Sequence, residues 1–141
     1  VADVAALSGS ATRGQERFNA VCASCHRVGT VGVEYAPNLT GWAKRQTAEV
    51  FFNSVINPSA DIASGFNGTM LKTKDGTEIH GVVISEGDPV VIQSAAGLVQ
   101  SVPKNRIAER KGLSRSLMMS ADQLGLKAQE LADLQAFLKT Q

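Results

Sequence analysis

The sequence predicts a mainly α-helical chain with an inserted antiparallel β-meander, an α+β fold in one domain spanning residues 1–141. Three observations point there. Thr12 and Gln15 form a capping-box pair that opens a helix before residue 22. At the far end Leu131, Leu134, Phe137 and Leu138 recur at helical spacing within about Ala128 to Lys139. Between these ends, residues 69–108 hold four short runs rich in Val and Ile. Lys74-Asp75-Gly76, Glu86-Gly87-Asp88-Pro89 and Ala95-Ala96-Gly97 separate them, and such punctuation is hairpin chemistry. A chain of 141 residues, 43% hydrophobic, is long enough to bury a core without disulfide staples.

Taken in order, residues 1–11 are small and weakly patterned and read as a mobile lead-in. The helix that follows carries Gly14 and Phe18 on one face, four residues apart, with Gly14 leaving room for another element. It delivers Cys22-Ala23-Ser24-Cys25-His26, a C-x-x-C-H run of the kind that attaches c-type haem covalently. Two thiols at this spacing reach the two vinyl groups of one haem, and the imidazole beside them can ligate the iron from the proximal side. A redox dithiol would need a βαβ setting, and a zinc site would need a second ligand pair. The chain has only two cysteines and two histidines, so one covalently attached haem c, held by Cys22, Cys25 and His26, is the expectation.

Residues 27–42 read as loop, ending in Trp42, a candidate to line the haem or donate to a propionate, with plain packing as the alternative. Thr47 caps a second helix, AEVFFNSVIN, with Glu49 at its positive end, and Pro58 stops it. The inserted sheet at about 69–108 has too little alternation for a one-sided sheet. It is expected to curl, to pack on the helices, or to pair with a second copy. Residues 103–115 form a basic stretch, a solvated surface or a docking patch for an acidic partner. Ser116-Leu117-Met118-Met119 precedes the last helix, in which Asp133 and Gln135 are expected to face outward.

A net charge of +1, spread evenly, argues against nucleic acid or an anionic membrane as the main partner. No run is apolar enough to span a bilayer. No charged-then-apolar leader stands at Val1. Because haem is normally attached to C-x-x-C-H outside the cytoplasm, a processed or excised chain in the periplasm, or otherwise extracytoplasmic, is expected.

Ala36-Pro37-Asn38-Leu39-Thr40-Gly41 resembles the G-P-D/N-L-x-G segment of class I cytochromes c, with Ala36 in place of the usual glycine. The resemblance implies the cytochrome c fold, a first and last helix that cross, and a Pro37 carbonyl that orients His26. The longer order is the haem motif, P-N-L-T-G, I-N-P-S-A-D-I, K-D-G-T-E-I-x-G-V-V, V-P-K-N-R-I, S-L-M and E-L-A-D-L-x-A-F-L. It resembles the haem-binding c-type domain of the Planctomycetes–Verrucomicrobia type, from about Thr12 to Leu138. Members of that group sit in or beside large secreted multidomain proteins.

The resemblance implies an electron-transfer monohaem cytochrome with His26 and Met118 as iron ligands. A redox partner protein or tethered domain would exchange electrons with it, and a homodimer through the β insertion is an option. Met119 stands where the family has proline, and Met119 and Met70 are the competing sulfurs. No catalytic base or phosphate loop is apparent, so no enzymatic activity is expected. The alternative is a haem sensor or small-ligand binder with a labile or open sixth position, where His80 or a displaced methionine would matter. A peroxidase-like enzyme would need a distal His or acid, for which no motif speaks.

Overall fold

Helices α2 (Ala11–Arg17) and α4 (Ala128–Leu138) cross closely, although more than a hundred residues separate them in sequence. The structure, a computed structural model, describes residues 2–141; Val1 lies outside them. At the crossing a Cβ on Gly14 would overlap the backbone carbonyl of Asp133, so only glycine lets the two helices approach this far. Phe18 and Phe137 pack beside it with ring centroids 5.7 Å apart. These rings join Phe51, Phe52, Leu131 and Leu134 in the larger of two apolar clusters.

Three details of the helices differ from the sequence expectation. The lead-in is not structureless: α1 (Ala2–Ala5) is a single turn, and Val4 is buried in the helical cluster. The cap of α2 is Ser10 and not Thr12, because the Ser10 Oγ accepts from Arg13 N while Ser10 N donates to Asp133 at 2.8 Å. Asp133 does not face outward. It is 3% exposed at the crossing, where its carboxylate accepts from Ser10 N, the Arg13 guanidinium and the Gln129 amide. A carboxylate with four hydrogen bonds is a tolerated buried charge.

Beyond α2 the helix widens into a π turn, Phe18–Cys22, with Ala23 N donating to Phe18 O at 2.9 Å. The region read as loop contains a two-residue hairpin, β1 (Arg27–Val28) with β2 (Val31–Gly32), and a short 3-10 turn at Ala43–Arg45. Helix α3 (Ala48–Ile56) starts at Thr47, whose Oγ1 accepts from Val50 N. It ends at Asn57, held out of the helical region before Pro58.

Between α3 and α4 lie five antiparallel strands: β3 (Thr69–Thr73), β4 (Glu78–Ser85), β5 (Val90–Gln93), β6 (Val99–Val102) and β7 (Ile107–Gly112). The expected count was about four, ending near residue 108. The fifth strand was hidden because IAERKG buries only part of Ile107 and lacks an apolar run. It does not continue the meander but returns to pair with β3, giving the order β6-β5-β4-β3-β7.

Strands β6 and β7 thus sit at opposite edges, which in a flat sheet would lie about 19 Å apart. Only residues 103–106 join them, and Lys104–Arg106 is a 3-10 turn rising about 2 Å per residue. The sheet must therefore curl until its edges approach. Leu71, Ile79, Val90, Ile92 and Val102 fill the interior as a second apolar cluster. Met70, next to Leu71, faces away from that interior and yet is only 7% exposed. The segment after β7 runs close by: Leu113 and Leu117 lie against Gly68, and Leu113 N donates to Gly68 O at 2.9 Å.

Candidate haem-attachment site

The π turn ends on Cys22, and the chain bends there through Cys25 N and His26 N, both donating to Cys22 O at 3.1 and 2.9 Å. A π turn is often found where a helix presents a functional group. No sequence signal marks it, since the widened turn is made by main-chain bonds and not by side-chain type. Both cysteines are free thiols and half-buried.

The loop after the motif folds back over it. Val33 N donates to Ala23 O at 3.0 Å, Ala36 N to Cys25 O at 2.8 Å and Leu39 N to Arg27 O at 2.9 Å. Gly32, with φ near +100°, lets β2 pair this closely with β1, because a Cβ there would overlap the His26 carbonyl oxygen. Within the loop Asn38 Oδ1 accepts from Thr40 N at 2.9 Å, and Thr40 Oγ1 accepts from Gly29 N at 2.8 Å. These side-chain turns fix the P-N-L-T-G segment against the motif.

Their consequence is the placement of Pro37. Its carbonyl oxygen lies 2.8 Å from His26 Nδ1. A carbonyl only accepts, so Nδ1 carries the proton and Nε2 keeps a lone pair. The His26 ring is 9% exposed, and burial lowers its pKa, with the Pro37 bond opposing in part. A neutral imidazole with a free Nε2 and a fixed ring plane is the form that ligates iron.

Burial pushes the Cys22 thiol up to about 11, with the nearby Cys25 adding to the effect. A redox dithiol runs the other way, with a depressed thiol pKa. Among the described residues no group of three His, Cys, Asp or Glu side chains assembles that could hold a metal ion, so a zinc half-site finds no partner. The donor set of two half-buried thiols and one oriented imidazole therefore fits a covalently attached haem.

Trp42 lies close by, with its N–H of the backbone on Leu39 O and its ring 5.6 Å from that of Phe51. It packs against the helical cluster that also contains Phe18 and takes in Cys22 at its edge. Met118 is on the segment between β7 and α4. It is half-buried, its N donates to Ser116 Oγ at 3.0 Å, and it lines a groove of about 350 Å³ with Ile56, Pro58, Leu117 and Met119. Met119 is 53% exposed. His80 is engaged elsewhere: its Nδ1 lies 3.0 Å from the Arg115 guanidinium.

No helix among the described residues is long and apolar enough to cross a membrane. No curated protein matches the chain. Residues 9–77, just under half of the chain, match the family model described as cytochrome C oxidase, cbb3-type, subunit III. The matched stretch takes in the haem motif, the Pro37 loop and α3. It supports a c-type cytochrome domain, and such a domain implies haem c and haem-based electron transfer.

Proposed function

We propose that this chain is a monohaem electron carrier, with one haem c bound through Cys22 and Cys25 and its iron ligated by His26 and Met118. The observation that carries the reading is the 2.8 Å bond between His26 Nδ1 and Pro37 O, which presents Nε2 for ligation beside two free thiols. When bound, the haem supplies a one-electron couple. Cys22 and Cys25 would hold it, and the Pro37 carbonyl fixes the tautomer of the His26 imidazole that would ligate its iron. Between the sulfurs, the partial burial of Met118 against the exposure of Met119 favours Met118.

The order of segments through residues 69–138 supports the Planctomycetes–Verrucomicrobia type, and with it a periplasmic or otherwise extracytoplasmic setting beside a redox partner or tethered domain. Ile84, Leu98 and Val99 are each more than half exposed, which suits contact with such a domain or with a second copy. A concentration series by sedimentation checks the second copy, and a strictly monomeric result removes it.

The test of the main reading is acid-acetone extraction followed by carbon monoxide titration of the reduced protein. Colour retained on the polypeptide and no response to the gas are expected. Haem that partitions into the solvent removes the covalent reading. Ready binding of the gas points instead to an open sixth position and a sensor.

A further inference from the structure

We infer that His80 is a positioning residue for the Met118 segment, holding it through Arg115 while neutral and releasing it when protonated. The inference rests on Met118 being the distal ligand only for its consequence at the iron; the coupling itself is a property of the chain.

Four hydrogen bonds tie the segment from Leu113 to Ala121 back to elements that precede it in the chain. Leu113 N donates to Gly68 O at 2.9 Å, Ser116 N to Ser59 Oγ at 2.9 Å, and Ala121 N to Val55 O at 2.9 Å. The fourth tie is the Arg115 guanidinium on His80 Nδ1, at 3.0 Å. It is the only one of the four that joins two side chains, and Arg115 stands three residues before Met118.

A guanidinium can only donate. His80 must therefore accept through the Nδ1 lone pair, which requires a neutral imidazole with its proton on Nε2. Protonation at Nδ1 removes the acceptor and sets a cation against a cation. The bond is therefore conditional on the neutral form of the ring, where the other three depend on no ionisable side chain.

The surroundings add to the bias. Strand register places Met70 opposite His80 and Lys111 opposite Met70, on one face of the sheet. In the next row on that face, Lys72 stands between Glu78 and Glu109. The charges on the face of His80 are thus Arg115 from the Leu113–Ala121 segment, Lys111 and Glu109 from β7, Lys72 from β3 and Glu78 from its own strand. The two anions among them, Glu78 and Glu109, both stand directly opposite Lys72. When the Arg115 bond is lost, the charged partner nearest in space repels the segment that it had held.

The test uses the haem-loaded chain and three proteins: wild type, His80→Gln and Arg115→Gln. The His80→Gln side chain accepts from Arg115 at every pH, and both substitutions fall at exposed positions, so the fold is kept. Hydrogen exchange at the Ser116 and Ala121 amides is followed from about pH 8 to 5, each rate taken relative to His80→Gln at the same pH. In wild type the relative exchange of Ser116 is expected to rise about two- to tenfold toward acid, the range for loss of one hydrogen bond. In Arg115→Gln it stays flat. A wild-type ratio that does not change with pH, or one that changes equally in Arg115→Gln, overturns the inference. Methionine ligation is read separately from the absorption spectrum at neutral pH. Its absence there would count against Met118 as ligand, while the exchange result would still decide the role of His80.

Discussion

The backbone carbonyl of Asp133 occupies the space that a Cβ on Gly14 would need. This contact, with that of Gly9 on the Ala132 carbonyl just before α2, sets how closely α2 and α4 cross, and Phe137 packs against Phe18 beside it. Gly14→Ala must push α2 and α4 apart against a packed cluster. Overpacking of this kind costs about 1–3 kcal/mol, and the better helix propensity of alanine recovers less than that. Urea denaturation should show a lower midpoint with an unchanged slope. A variant as stable as wild type would mean that the crossing is looser than described.

The side-chain carboxylate of the same residue gives the chain a defined acid response. Asp133 is held down at about 2, first by the Arg13 hydrogen bond and then by Ser10 N and Gln129, against the desolvation of its buried site. A carboxylate depressed on folding contributes stability that is complete above its unfolded value of 3.8 and is lost as pH falls toward 2. Arg13 is 61% exposed, so the charge attraction is screened and the hydrogen bonds carry most of the effect. Asp133→Asn puts an amide donor against the guanidinium and should cost about 1–3 kcal/mol at neutral pH. Its stability should also lose the fall between pH 4 and 2. Parallel acid-denaturation curves for the two proteins would show that Asp133 is not the group concerned.

The haem motif, the capping of α3 by Thr47 and its stop at Pro58 were legible because each depends on residue type at fixed short spacing. What stayed hidden depends on partners far away in sequence. Asp133 reads as an outward polar residue until Ser10 and Arg13 are brought to it, and the same contact moves the α2 cap from Thr12 to Ser10. Strand β7 carries charges where a strand signal needs apolar residues, because as an edge strand it buries little. The π turn before Cys22 has no side-chain signature. The Met118 segment has no periodicity, and its path is set by Gly68, Ser59 and His80.

The curled sheet has its own interior, and Ile92 is at its centre with no exposure. Ile92→Ala opens a cavity among Leu71, Ile79, Val90 and Val102, a change that costs about 2–5 kcal/mol in cores of this kind. None of Cys22, Cys25 and His26 belongs to this cluster, and Cys22 packs at the edge of the other one, so the absorption of the folded, haem-loaded variant should match that of wild type. The expected pattern is a lowered thermal midpoint by circular dichroism with an unaltered spectrum at low temperature. A spectrum changed in the folded state would mean that the sheet interior reaches the haem ligands.

The sixth ligand offers a test in which two neighbouring residues give opposite results. Met118 and Met119 are adjacent, and successive side chains of an irregular, extended segment point in different directions. Met118 is half-buried and its backbone is fixed by Ser116 Oγ, whereas Met119 is 53% exposed. Removing a thioether ligand favours the oxidised iron and vacates a position that carbon monoxide can take. Met118→Ala should therefore lower the reduction potential and make the reduced protein bind the gas, and Met119→Ala should leave both nearly as in wild type. Reversal of the two would assign the sulfur to Met119. Gas binding by neither variant would send the search to Met70, buried on the outward face of β3.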